Sequence, residues 1–163
     1  IMDLVLEGLP FHSYRMDFEP AFQAMFKKHE PAQHKYLYLN SAIPSSEQAA
    51  RLAAFKRACA AASPPQELRV ISVNQESGDP DKLESVIASY RPDFVCGYIH
   101  HGWLPMIAAA NVKAYPYALD STRPSFTVNS SEWMQSVLSD IYVHLEERRP
   151  EAKVLSFPAT FRP

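Results

Sequence analysis

Two adjacent histidines, His100 and His101, are the residues of this 163-residue chain best suited to chemistry near neutral pH. Together with Asp120 and several serines, they could support a hydrolytic reaction or bind a metal ion. Adjacent residues of a strand point to opposite faces, and the sequence has no HxxxH or HxH spacing for a shared metal. A ligand contact, or a polar position at a strand end, is therefore favoured over a catalytic or metal role.

Other motifs of catalysis or cofactor binding do not occur in the sequence. It has no GxSxG elbow for a serine nucleophile. Cys59 and Cys96 lie in apolar runs without CxxC spacing, which predicts inert core thiols rather than zinc ligands or a disulfide. Gly97 and Gly102 have the spacing of a P-loop, but Trp-Leu follows where that loop needs Lys and then Ser or Thr. We expect no metal and no cofactor, and an enzyme is not the favoured class.

The composition is that of one ordinary domain or two small lobes. Lys and Arg number 16 against 18 Asp and Glu, so the basic surface typical of DNA-binding proteins is not expected. No run reaches the 18 or more apolar residues of a membrane span, and the N-terminus lacks a basic region followed by an apolar core. We expect a cytoplasmic protein. Because a strand-like run begins at the first residue, we also expect the chain to be part of a larger protein.

Short β-rich runs alternate with amphipathic segments, which predicts α/β architecture with a largely parallel sheet. Strands are predicted at residues 4–6, 36–39, 68–73, 93–98, 114–119 and 154–157. Helices are predicted from an Asp17 cap to about 29, from a Ser45 or Ser46 cap to about 62, and at 80–90, 103–110 and 130–147. Two prolines after residue 63 predict a boundary, with residues 1–63 mainly in an N-terminal lobe and 64–163 mainly in a C-terminal lobe.

Polar residues follow several of the predicted strands, and ligands of open parallel sheets bind beyond those carboxyl ends. These strand-end stretches are Glu7–Gly8, Asn40–Ser46, Asn74–Ser77, Tyr98–His101 and Asp120–Arg123. Their polar and aromatic mixture suits a small hydroxylated or amide-bearing ligand, although strand-end loops are also polar because they are solvated. Arg51, in the second turn of its helix, could reach across a cleft with its forked donors, or it could simply be solvated.

Six stretches of the sequence follow the motifs of one known family. They are YRMDFEPA (14–21), HKYLYL (34–39), SSEQAARLAAF (45–55), RPDFVC (91–96), YALD (117–120) and PSFTV (124–128). In order and in register, they resemble the effector-binding domain of the lactose/purine-repressor (LacI/GalR) family of transcription regulators. Residues 131–145 and 155–162 are similar to the last helix and the closing strand of that family.

The resemblance implies a type I periplasmic-binding-protein-like fold, in which Rossmann-like parallel sheets flanked by helices form two lobes, here only in part. It places Arg51 and Asp120 at the family's ligand-facing Arg and strand-end Asp, and Glu7 where an Asp often follows an apolar strand. Tyr98-Ile-His-His stands where the family has an Asn-Asp pair, so the ligand contacts there differ. The candidate ligand-binding residues are Arg51, Asp120, Glu7, Tyr98, His100 and Ser45.

The function implied by the resemblance is that of an effector sensor without chemistry. A sugar, nucleobase or related metabolite would bind between the lobes and control DNA binding by a helix-turn-helix that this chain lacks. A homodimer is expected, because such regulators read palindromic sites. The alternatives are a stand-alone small-molecule binding protein and, less favoured, a hydrolase that uses His100 or His101.

Overall fold

Strands and helices alternate in the computed structural model, which describes residues 13–63, 67–74, 80–147 and 153–163. The strands are β1 (Ser13–Asp17), β2 (Lys35–Ser41), β3 (Glu67–Val73), β4 (Phe94–Gly97), β5 (Lys113–Leu119), β6 (Ser125–Val128), β7 (Val154–Pro158) and β8 (Thr160–Arg162). The α-helices are α1 (Glu19–Lys28), α2 (Ser46–Ala62), α3 (Pro80–Tyr90), α4 (Leu104–Ala109) and α5 (Ser130–Glu147). Single 3-10 turns lie at Pro31–Gln33 and His101–Trp103.

Six of these strands form one sheet in the order β3-β2-β4-β5-β6-β8. The pairs from β3 to β6 are all parallel, and only the last pair, β6 with β8, is antiparallel. β1 and β7 pair in parallel as a separate two-stranded sheet. The prediction of an α/β fold with a largely parallel sheet is therefore confirmed.

Most predicted elements agree with the structure, and the differences are local. α3 and α5 have the predicted bounds, and α2 begins after an N-cap at Ser45. The predicted Asp17 cap is wrong by one position: Phe18 is the N-cap of α1, although Asp17 Oδ1 still accepts a hydrogen bond from the Glu19 backbone at 3.0 Å. The residue pattern does not predict strands β1 and β6, because each is short and lacks clear alternation, whereas β8 falls within the stretch 155–162 that resembles the family's closing strand. The strand predicted at residues 4–6 lies outside the described residues.

The predicted boundary between residues 63 and 64 falls between α2 and β3. β2 precedes that boundary and β3 follows it, yet the two strands are paired over seven residues, from Lys35 opposite Glu67 to Ser41 opposite Val73. A lobe boundary at this point would have to cut through paired strands. The separation that the described residues do show is between the β1–β7 sheet and the six-stranded sheet.

The six-stranded sheet has an apolar layer on each face, and strand β2 shows how its residues divide between them. Tyr36 and Tyr38 point to the face covered by α1 and α2, whereas Leu37 and Leu39 belong to the opposite cluster, with α3 and α4. A strand buried on both faces needs apolar residues at successive positions, which is why this stretch does not alternate with polar residues.

Helix α5 carries the apolar stripe that its sequence predicts, but most of that stripe is exposed. Val137 is buried, while Leu138 and Leu145 are 58% and 71% exposed. The 3.6-residue repeat therefore predicts the helix correctly without predicting what covers its apolar face. Among the described residues, no helix is long and apolar enough to cross a membrane.

Candidate ligand site at the carboxyl edge of the sheet

Arg51 is held on the sheet side of α2, whose first turn is fixed by Ser45. The Ser45 hydroxyl caps the helix by accepting a hydrogen bond from the Gln48 backbone at 3.2 Å. One turn later, Arg51 is only 9% exposed. Its guanidinium carbon lies 4.9 Å from the ring centroid of Phe18 and 5.4 Å from that of Tyr117. Arg51 is therefore a buried, stacked arginine and not a solvated helix residue.

Three tyrosines lie near the Arg51 guanidinium: Tyr38 of β2, Tyr117 of β5 and Tyr98, the residue after β4. Arg51 Nη1 donates to the Tyr98 hydroxyl at 3.5 Å, and the Tyr98 ring packs edge-on against Tyr117, with centroids 5.6 Å apart. The hydroxyls of Tyr38 and Tyr117 are 2.5 Å apart. Burial raises the pKa of Tyr38 to about 12 and that of Tyr117 well above its usual value. Both hydroxyls, those of Tyr38 and Tyr117, are therefore neutral at pH 7, and each can donate and accept hydrogen bonds.

Gly97 sets the position of Tyr98. Its φ of +100° is favourable only for glycine, and a Cβ there would lie 2.6 Å from the Leu39 carbonyl oxygen. The next backbone N–H, that of Tyr98, donates to the same carbonyl at 2.9 Å. Tyr98 is thus anchored at the end of β4, on the same face of the sheet as Arg51.

A recess of about 100 Å³ adjoins Arg51 between the end of β1, the start of α1 and residues 47–57 of α2. It is lined by Arg15, Met16, Asp17, Phe18, Glu19, Glu47, Ala50, Arg51, Ala54 and Arg57. The acidic residue Glu19 is already engaged, since its carboxylate accepts from Arg57 at 2.6 Å. Sequence reasoning missed Glu47, although its position four residues before Arg51 places both on one helix face.

Asp120, another of the predicted ligand-binding residues, is held by Ser130 at the start of α5. Its Oδ1 accepts from the Ser130 backbone at 2.8 Å, and its Oδ2 accepts from the Ser130 hydroxyl. These hydrogen bonds hold the pKa of Asp120 below its usual value. Its backbone is left-handed, with φ of 49°. Asp120 therefore joins the end of β5 to the start of α5.

His100 also makes local contacts instead of contacts with Arg51. Its Nδ1 accepts from the Gly102 backbone at 3.2 Å, and its ring lies 4.2 Å from the His101 ring. The prediction that the two imidazoles point to opposite faces is wrong, because β4 ends at Gly97 and the histidines form a turn. Even so, no group of three His, Cys, Asp or Glu residues suited to a metal ion occurs within the described ranges.

Of the six predicted ligand-binding residues, Arg51 and Tyr98 are brought together in this structure. Ser45 serves as the N-cap of α2, where its hydroxyl accepts a hydrogen bond from the Gln48 backbone N–H at 3.2 Å. Glu7 lies outside the described residues. The strand-end argument does not distinguish side chains that share a face of the sheet from those that turn into local contacts.

A larger cavity, of about 470 Å³, lies at the opposite, amino edge of the sheet. His34, Arg91, Asp93 and Lys113 supply its charged and titratable groups. Asp93 Oδ2 accepts from the Lys35 backbone at 2.8 Å and lies 3.6 Å from His34 Nδ1. The charged groups of this cavity lie at the surface, unlike the buried arginine of the carboxyl edge.

Comparison with solved structures identifies the fold. The chain is similar to a LacI-family regulator from Enterococcus faecium with bound ribose, at 12% identity and a TM-score of 0.73. It is also similar to the Cra dual regulator from Pseudomonas putida in complex with fructose 1-phosphate, at 16% identity and 0.72. A third similar structure is a LacI-family regulator from Arthrobacter sp. FB24 in complex with lactose, at 10% identity and a TM-score of 0.68.

The chain has the fold of the LacI-type regulators. The three comparisons cover 99% of this chain but only 66–67% of the other chains, so this chain spans about two thirds of the length of those regulators. The sequence itself matches no protein-family model, and no curated protein matches it. The LacI resemblance predicted from the sequence motifs is thus confirmed at the level of the fold.

Proposed function

We propose that this chain is the effector-sensing part of a LacI-type transcription regulator and binds a small hydroxylated metabolite beside Arg51. The observation that carries the proposal is the arginine itself. It is 9% exposed, lies over the rings of Phe18 and Tyr117, and is hydrogen-bonded to Tyr98 at the carboxyl edge of a parallel sheet. Ligands of open α/β sheets bind at this edge.

The chemistry around Arg51 suits a sugar or a related metabolite. A guanidinium offers several donors in a fixed plane, which matches hydroxyl, carboxylate or phosphate oxygens. Aromatic faces such as that of Tyr98 pack against the C–H surface of a sugar ring, and its hydroxyl adds a polar contact. The ribose, lactose and fructose 1-phosphate bound to the three solved regulators support this ligand class.

Ligand binding at this position would act on the relation between the two sheets. The recess beside Arg51 is lined by the end of β1, which pairs with β7, and by α1 and α2, which cover the six-stranded sheet. A ligand that contacts both sides favours the arrangement that it fits best. In a cytoplasmic homodimer, that shift would change how a helix-turn-helix outside these 163 residues engages DNA.

Titration calorimetry with ribose, lactose and fructose 1-phosphate tests the ligand-binding part of the proposal. Arg51→Ala should weaken binding of the best of these sugars by about 1.5–3 kcal/mol, the scale of a charge-assisted hydrogen bond. Lys56→Ala is the matched control, because Lys56 is an exposed residue of the same helix. Circular dichroism should confirm that both variants are folded. Equal affinities of parent and Arg51→Ala would contradict the proposed site.

Sedimentation at micromolar concentration tests the homodimer. A species of about twice 18.4 kDa is expected, and a single 18.4 kDa species would show that these residues do not dimerise by themselves.

A further inference from the structure

Two amide side chains on the same face as Arg51, those of Asn40 and Gln48, have buried oxygens without a hydrogen-bond partner among the described residues. Gln48 is 8% exposed, and its Oε1 accepts no hydrogen bond from the described residues. The same holds for Oδ1 of Asn40, the penultimate residue of β2. Buried polar atoms of native proteins are almost always hydrogen-bonded, so two such acceptors close to a proposed ligand site require an explanation.

The sheet register places Asn40 next to Tyr98. Asn40 follows Tyr38 by two residues and therefore points to the same face of β2. Leu39 is opposite Gly97 of β4, and the Tyr98 N–H donates to the Leu39 carbonyl at 2.9 Å. Asn40 and Tyr98 are consequently the next pair along two adjacent strands, whose separation in a sheet is about 4.8 Å.

The helix geometry places Gln48 beside Arg51. Gln48 precedes Arg51 by three residues, which puts the two on one face of α2. Both side chains are buried, so this common face is the one turned toward the sheet. Gln48 of the helix and Asn40 of the strand therefore lie on the same face of the sheet as the Arg51–Tyr98 pair.

We propose that Asn40 and Gln48 are specificity-determining residues of the sensor, whose amide oxygens accept hydrogen bonds from hydroxyl groups of the effector. This inference rests on the proposed function. It adds two hydrogen-bond acceptors to the donor that Arg51 supplies. Arg51 can only donate, whereas the two amide oxygens can only accept. A ligand that satisfies all three must both accept and donate, which selects a polyhydroxylated molecule over a simple carboxylate or phosphate.

The proposal predicts that each amide opposes folding of the ligand-free protein and favours ligand binding. An acceptor buried without a partner opposes folding of the ligand-free protein, so its removal should not destabilise the fold. Gln48→Met and Asn40→Leu keep the approximate side-chain volume and remove the amide. In each variant the unfolding equilibrium constant of the ligand-free protein should be no more than about three times that of the parent. The dissociation constant of the ligand should rise at least fivefold.

Urea unfolding without ligand and calorimetry with ribose, lactose and fructose 1-phosphate measure the two quantities. Gln135→Met, an exposed substitution on α5, is the control and should change neither. An unfolding constant raised tenfold or more would show that the amides are partnered within the fold, which would overturn the proposal.

Unchanged sugar affinity in both variants would also overturn it, while a loss of affinity in Arg51→Ala would leave the proposed function standing. If the parent protein binds none of the three sugars, the proposed function itself fails in its sugar form, and the specificity proposal fails with it. Failure of the specificity proposal can therefore be distinguished from failure of the proposed function.

Discussion

The two edges of the six-stranded sheet hold charged side chains in opposite surroundings. At the carboxyl edge a buried arginine lies over two aromatic rings, beside a recess of about 100 Å³ that β1, α1 and α2 line. At the amino edge the cavity is about 470 Å³, and its arginine, Arg91, is exposed. Cavity size and the burial of charged side chains therefore point to different edges of the sheet. Side chains that are buried and fixed before a ligand arrives are the more informative feature.

The parallel topology explains why the two edges differ. In successive β-α units, helices begin at the carboxyl edge of the sheet and end at its amino edge. Arg91 and Asn111 follow the last turns of α3 and α4 with left-handed φ values of 50° and 58°. The carbonyl groups of two helix C-termini thus face the amino edge, where they oppose an anionic ligand. The first turns of α1 and α2 lie at the carboxyl edge instead.

The largest expected effects come from two phenylalanines, one below each edge. Phe22 is fully buried against Phe55 and Phe126, and Phe94 is buried against Tyr36. Substitution of either residue by Ala should lower the free energy of unfolding by about 3–5 kcal/mol in urea. Only Phe22→Ala should also weaken sugar binding, measured by calorimetry on the folded protein, because Phe22 supports Phe18 and Tyr117. Equal losses of affinity in the two variants would remove the distinction between the edges.

A matched pair of arginine substitutions compares the edges at constant charge. Arg51→Lys keeps the charge but loses the planar group that stacks on Phe18 and Tyr117, so the free energy of unfolding should fall by about 1–2 kcal/mol. Arg91→Lys at the amino edge should change it by less than about 0.5 kcal/mol. Urea unfolding of both variants checks the prediction. A loss of the same size in Arg91→Lys would mean that the exposed arginine is equally fixed.

His29, below the amino edge, should make the fold sensitive to pH. Burial first, and then the charge of Lys113, lower the pKa of this imidazole below its ordinary 6.5, and its Nε2 lies 3.0 Å from the Tyr115 hydroxyl. The unfolded state then binds the proton more tightly, so stability present above pH 6.5 should decline as the pH falls through the folded pKa. His29→Gln should reduce this decline in urea unfolding between pH 5 and 7.5. An unchanged decline would assign it to other groups.

Asp120, at the carboxyl edge, should act at lower pH and with a smaller effect, because its carboxylate is exposed. Its hydrogen bonds from Ser130 hold its pKa below 3.8. Stability from the ionised form is therefore present above about pH 4 and lost as the pH falls through the folded pKa. Asp120→Asn should flatten the stability profile below pH 4 and leave sugar affinity at pH 7 within about twofold. A large loss of affinity in this variant would return Asp120 to the ligand site.

The sequence predicts the elements of this fold better than their surroundings. The bounds of α3 and α5 follow from capping and periodicity, and the carboxyl edge follows from the β-α order. The meeting of Arg51 with Tyr98 depends on side-chain parity in β4, which could not be fixed before the strand end at Gly97 was known. His100 could not be placed for the same reason. The exposed stripe of α5 depends on what packs against it, and no periodicity contains that information.

Chemical-shift mapping by two-dimensional NMR tests the central claim, that the carboxyl edge binds the effector. Isotope-labelled protein should be titrated with whichever of ribose, lactose and fructose 1-phosphate binds most tightly in calorimetry. We predict that the largest shifts occur at Gln48, Arg51 and Tyr98. Largest shifts at Arg91 and Lys113, around the 470 Å³ cavity of the amino edge, would contradict the account.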